Sequence, residues 1–106
     1  MAKYLLLYSG GSMPETEAAQ AAVMTAWEAW FTELGSAVAD PGNPFTMGGT
    51  PKKIASDGSV SDAQSSASGY SIIEADSLDL ATKLAGDCPV LQGGADITVF
   101  ETFNVM

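Results

Sequence analysis

Residues 4–8 are apolar without a break. A strand with one wet face alternates, so an unbroken run predicts a strand screened from water on both sides. Ser9-Gly10-Gly11-Ser12 ends it, and Ser12-Met13-Pro14-Glu15 is a candidate capping box with proline near the first turn. The period then changes. Val23, Met24, Trp27, Trp30, Phe31 and Leu34 recur at spacings of three and four among many alanines, which predicts a helix over 15–34. Glu15 and Glu17 suit its positive end, and Gly35 is placed for a left-handed cap.

Further along, Gly, Pro and Ser dilute the pattern. Residues 36–40 read as a short strand that Pro41 and Pro44 cannot continue, and the chain to Pro51 reads as loop. Asp57-Gly58 between 52–56 and 60–62 signals a hairpin. The small polar stretch 63–68 reads as a flexible connection and 70–74 as another strand. Asp76 is the expected N-cap of a second helix over 77–87, with Leu80, Ala81, Leu84, Ala85 and Cys88 as its buried stripe and Pro89 as its stop. After the turn Gln92-Gly93-Gly94, a last strand is predicted over 97–105, with Ile97, Val99, Glu101, Phe103 and Val105 on one side and Thr98, Phe100 and Thr102 on the other.

Strand, helix, strand, hairpin, strand, helix, strand is the order of a ferredoxin-like α+β fold: an antiparallel sheet with two helices on one face. With no repeat and no linker, the expectation is one domain over 1–106. Two helices cover one sheet face only, while the run at 4–8 and the aromatics of the last strand make the other face apolar too. Packing of two such sheets as a two-fold homodimer would bury it.

Composition narrows the chemistry. The chain holds no histidine and no arginine, which removes the usual proton shuttle and the usual bidentate anion clamp. Thirteen acidic residues against four lysines (Lys3, Lys52, Lys53, Lys83) give a net charge of −9. Such a surface repels nucleic acid and anionic membranes and disfavours anionic substrates at long range. The first apolar run is too short for a signal peptide core or a membrane span. Cys88 is a lone cysteine with no partner for an intrachain disulfide, so the expected compartment is the cytoplasm.

Lys3-Tyr4-Leu5-Leu6-Leu7-Tyr8, the helix with Trp27 and Trp30, Asp57-Gly58-Ser59-Val60-Ser61-Asp62, residues 69–76 (Gly-Tyr-Ser-Ile-Ile-Glu-Ala-Asp) and Cys88-Pro89-Val90-Leu91 come in an order that resembles the YCII-related (DGPF-like) family. The resemblance covers nearly the whole chain and implies a dimeric α+β barrel. It implies no known reaction. Some relatives carry a His-Asp pair and a YxHGG pattern after the first strand. Here Tyr8-Ser9-Gly10-Gly11 stands in that region without histidine, and Ala63-Gln64-Ser65 follows Asp62 in place of Gly-Pro-Phe.

Candidate site residues follow from chemistry and position. Asp40, beside the Pro/Gly loop, is the candidate general base, with Tyr8 or Ser9 as hydrogen-bond donor. The bland alternative has Asp40 and Asn43 satisfying turn amides. Gly10 and Gly11 could offer backbone N–H groups to an anion, though the spacing matches no phosphate-loop motif. Trp27, Asn43 and Tyr70 could line a ligand cleft, while Trp27, Trp30 and Phe31 are equally at home in a core. Cys88 sits at the negative end of a helix, which disfavours a thiolate. No metal or cofactor is expected; Glu74, Asp76 and Asp79 form an acidic patch without an EF-hand pattern. The leading expectation is a small-molecule-binding homodimer. The alternatives are an acid-base lyase or isomerase acting on a small organic acid, and an accessory protein-interaction domain.

Overall fold

The computed structural model describes residues 2–12, 14–46 and 49–105. The apolar run lies in strand β1 (Ala2–Gly10), which pairs antiparallel on both sides, with β5 (Ala67–Ala75) and with β6 (Ala95–Glu101). A short strand β2 (Val38–Asp40) pairs with the outer edge of β5. The sheet order is therefore β2-β5-β1-β6, as expected of a ferredoxin-like fold. Strands β3 (Lys52–Ile54) and β4 (Val60–Asp62) form a separate two-stranded hairpin. Helix α1 (Glu17–Leu34) connects β1 to β2, and α2 (Leu78–Ala85) connects β5 to β6.

Alternation along β1 and β5 sorts the side chains. Tyr4, Leu6, Tyr8, Ser71, Ile73 and Ala75 are buried, and the apolar ones among them form one core cluster with Trp30 of α1 and Ala81, Ala85 and Cys88 of the α2 region. Leu5, Leu7, Tyr70 and Ile72 point to the other side and are half-buried. Register sets them beside one another, with Leu5 opposite both Ile72 and Phe100 and Leu7 opposite Tyr70. Both helices thus serve one face, and the second face is an apolar surface, as its sequence predicts.

Several boundaries differ from expectation for local reasons. The cap of α1 is Thr16, whose hydroxyl accepts from the Ala19 amide at 3.1 Å, so the helix starts at Glu17. The predicted box at Ser12 does not form: the Ser12 amide donates to Gly93 O at 3.2 Å, and Met13 lies outside the described residues. Ser77, not Asp76, caps α2 by accepting from Leu80 N at 3.1 Å, and the helix ends at Ala85 instead of 87. Leu80 is 38% exposed, so the buried stripe narrows to Ala81, Ala85 and Cys88 with Leu84 half-buried. Gly35 has the positive φ its cap position predicts, and its N–H donates to Phe31 O. A 3-10 turn at Gly35–Ala37 uses the first half of the predicted short strand.

β5 begins at Ala67, three residues before the predicted 70, because Ser9 pairs with Ala67 across a bulge and the Gly10 amide donates to Ser66 O at 2.8 Å. The last strand stops at Glu101 and not at 105. Tyr4 already pairs with Glu101, the Thr102 amide donates to Lys3 O, and β1 then runs out of partners.

Candidate functional site

Alternation places Tyr8 and Ser9 on opposite faces of the sheet. Tyr8 turns inward under α1. Its ring meets Trp27 edge-on, with centroids 5.6 Å apart, and Trp27 packs in turn on Trp30 and Phe31. Its hydroxyl donates to Ser71 Oγ at 2.7 Å, and Ser71 donates to Pro41 O at 2.8 Å. The Cys88 thiol, at 3.9 Å, donates to the Tyr8 oxygen. Each hydroxyl in this chain accepts once and donates once, so the dry interior leaves none of them unpaired. Burial pushes the Tyr8 phenol far above its ordinary range and raises the Cys88 thiol as well. Tyr8 and Cys88 therefore keep their protons in these hydrogen bonds near neutral pH.

Asp40 closes a turn. Its carboxylate accepts from the Gly42 amide at 2.8 Å. Gly42 has φ +73°, and a Cβ there would lie 1.7 Å from Tyr70 O, so only glycine lets the loop lie flat on β5. The loop then follows β5 as an irregular edge: Tyr70 N donates to Asn43 O at 3.3 Å, Pro44 bridges Gly69, and Phe45 N donates to Ser68 O at 2.8 Å. This path sets the Phe45 ring against Tyr70, 6.2 Å between centroids.

Beyond Phe45 a cleft of about 340 Å³ opens between the loop, the root of the hairpin and the start of β5. Phe45, Pro51 and Ala67 are its apolar lining residues, and Thr46, Gly49, Thr50 and Ser65 complete the described lining. A smaller hollow of about 210 Å³ lies between the C-terminal turn of α1 and α2, floored by Trp30, Leu34 and Leu84 with Glu33 and Asp87 beside them.

The expected site residues thus divide among three places. Tyr8 and Trp27 belong to the covered interior. Asp40, Asn43 and Tyr70 build the loop that shapes the larger cleft, Asn43 and Tyr70 through backbone groups and Tyr70 also through its ring. Gly10 and Ser9 lie across from the start of β5, where the Gly10 amide is already engaged; a Cβ on Gly11 would approach Ala95 Cβ to 3.0 Å. Asp40, Tyr8 and Ser9 are not gathered on one face. Thr46, Thr50 and Ser65 carry no pattern of their own in a stretch rich in Gly, Pro and Ser, and neither the Phe45–Tyr70 contact nor the Tyr8–Ser71 bond, which joins residues 63 apart, has a local signal. Among the described residues, no group of three or more Cys, Asp and Glu side chains gathers in a metal-binding arrangement.

This topology has a counterpart among solved structures: 5-chloro-2-hydroxyhydroquinone dehydrochlorinase (TftG) from Burkholderia phenoliruptrix AC1100, in complex with 2,5-dihydroxybenzoquinone. The TM-score is 0.56, over 95% of this chain and 93% of that one. The two share a fold. At 19% identity the likeness extends to architecture and not to residues, and the dehydrochlorinase is an enzyme built on the same α+β frame. No family model matches the sequence, and no curated protein matches it. No helix among the described residues is long and apolar enough to cross a membrane.

Proposed function

We propose that this chain is a single YCII-related domain of the cytoplasm that works as a homodimer and binds a small organic molecule in the Phe45–Ala67 cleft, without histidine-dependent catalysis. The observation that carries this reading is the apolar second face of the sheet, Leu5, Leu7, Tyr70, Ile72 and Phe100, continuous through the Phe45–Tyr70 contact with the cleft. Covering that face with a second copy removes apolar surface from water and walls the cleft on its open side. The fold shared with a dehydrochlorinase favours an acid-base enzyme as the second reading. In that reading Asp40 is the base, released from Gly42 when substrate binds, with Ser9 as donor; the Tyr8 proton is already given to Ser71.

Light scattering at low micromolar concentration tests the dimer, and a monomeric mass refutes it. Native mass spectrometry of freshly purified protein tests the ligand, with a bound small molecule as the expected result. For the enzyme reading, D40N abolishes turnover of any substrate found; unchanged turnover removes Asp40 as the base.

A further inference from the structure

We propose that the β3–β4 hairpin is an arm that grips a second copy of this chain, with its Ile54–Val60 pair packed on the open sheet face of the other copy. The inference rests on the homodimer reading and goes beyond it by naming a second element of the contact. Every residue from 51 to 62 is exposed, although the hairpin itself is complete: Lys52, Lys53 and Ile54 pair with Asp62, Ser61 and Val60, and the Gly58 amide donates to Ala55 O at 2.8 Å across the turn. Alternation sets Ile54 and Val60 on one side, 72% and 64% exposed, beside the Lys52–Asp62 pair. A two-stranded hairpin with no packed side is marginal in water, and no part of the described chain covers this one. The dimensions agree with a protruding arm. The radius of gyration is 15.3 Å, against about 13 Å for a compact domain of this length, and the molecule is 44 by 39 Å but 18 Å thick.

The second copy is the occupant because two surfaces left uncovered in one chain complement each other. Leu5, Leu7, Tyr70 and Ile72 are half-buried and Phe100 is 47% exposed. At roughly 200 Å² for a large side chain, these together expose on the order of 400 Å². A stable interface takes about 800 Å² from each partner, so the open face needs surface from outside the sheet. A two-fold axis brings each hairpin to the other copy, and the apolar pair is then added twice. Charge favours the same surface. Lys52 and Lys53 balance Asp57 and Asp62, so the hairpin is neutral while the rest of the chain holds the whole −9. Two copies repel through the rest of their surfaces and not through this one. The centre of the open face, from Leu5 and Leu7 across to Ile72 and Phe100, is likewise uncharged.

Sedimentation velocity over a concentration series gives the dimer dissociation constant for the intact protein and for the double variant I54S with V60S, whose changes fall on exposed side chains and leave the sheet and helices to fold as before. The double variant is expected to weaken self-association at least about tenfold, a difference of roughly 1.4 kcal/mol. A dimer mixed from isotope-labelled and unlabelled copies is expected to show nuclear Overhauser contacts from the Ile54 or Val60 methyls of one copy to Leu5, Leu7 or Phe100 of the other. If the intact protein is a monomer throughout, the homodimer reading fails and takes the inference with it. If it is a dimer that the double variant leaves as tight, or one with no such contact between copies, the inference is overturned and the homodimer reading stands.

Discussion

The two faces of the central sheet are made by alternate residues of the same strands, yet they are different materials. On the covered face Tyr4, Leu6, Tyr8 and Ile73 are sealed beneath the helices, and the Tyr8 hydroxyl bonds through Ser71 to Pro41 O. On the other face Leu5, Leu7, Tyr70 and Ile72 are only half-buried, and Phe100 is 47% exposed. A one-residue slip in register would exchange the two sets, so the covered face specifies the register and the open face inherits it. The contrast teaches that apolar residues serve two ends here. One set secures the fold of a single chain, and the other stays half in water in that chain.

The sharpest way to break this contrast is to truncate neighbouring leucines. L6A removes a fully buried side chain and is expected to destabilise the protein by about 2–5 kcal/mol in urea unfolding. L7A, half-buried on the open face, should lower stability by less than about half as much in dilute solution. Equal losses would mean that the two faces are equally dry and the distinction is wrong.

A smaller effect separates them by polarity. S71A leaves the Tyr8 hydroxyl and the Pro41 carbonyl without their buried partner, and is expected to cost about 1–3 kcal/mol. Y8F keeps the Ser71–Pro41 bond and should cost about 1 kcal/mol, also by urea unfolding. The same tyrosine sets a pH limit. Its folded pKa is raised by burial, as is that of Cys88, so the folded state favours their neutral forms. Their contribution is whole below the unfolded values, about 8.5 for the thiol and 10 for the phenol, and is lost as pH rises above them. Stability should therefore hold to about pH 8.5 and then fall. C88A should remove the first part of the decline and Y8F the second. A decline unchanged in the double variant would show that other groups cause it.

On the open face, F100D should lower the unfolding free energy of the single chain by about 1 kcal/mol, because only the buried half of the ring is lost. The self-association proposed above should be lost, read as a drop to monomer mass in light scattering. A variant that remains dimeric would place the interface elsewhere.

What could be read from the chain divides along similar lines. The apolar run at 4–8, the three-and-four spacing of Trp27, Trp30, Phe31 and Leu34 and the Asp57-Gly58 turn are local patterns, and each became the element it predicts. The apolar second face was legible because two helices cannot cover two sides of a sheet. Caps were less so: Ser12 and Thr16, or Asp76 and Ser77, are interchangeable as chemistry, and only in the first pair does a long-range bond, from the Ser12 amide to Gly93 O, draw one candidate away. The Tyr8–Ser71–Cys88 chain joins residues 63 and 80 positions from Tyr8, which no local pattern reveals. Nor could the cleft be read, because Gly42 and the β5 edge shape the loop that forms it. Asp40 lies in that loop, where its carboxylate accepts from the Gly42 amide.

The hairpin belongs to neither face, and so gives the weakest perturbation. Its strands pair only with each other, and Ile54 and Val60, opposite one another, are 72% and 64% exposed. Two strands with no packed side are marginal alone in water, so this unit should open locally without unfolding the sheet. The Lys52–Asp62 pair across it is about two-thirds exposed on both sides, and such pairs contribute less than about 1 kcal/mol and weaken with salt. K52A should leave the global unfolding midpoint unchanged and only speed amide exchange within 52–62. A large fall in the midpoint would make the hairpin part of the cooperative core. The sheet would then have two supports, the helices on one side and the hairpin, and its half-buried open face would give less reason to propose a second copy.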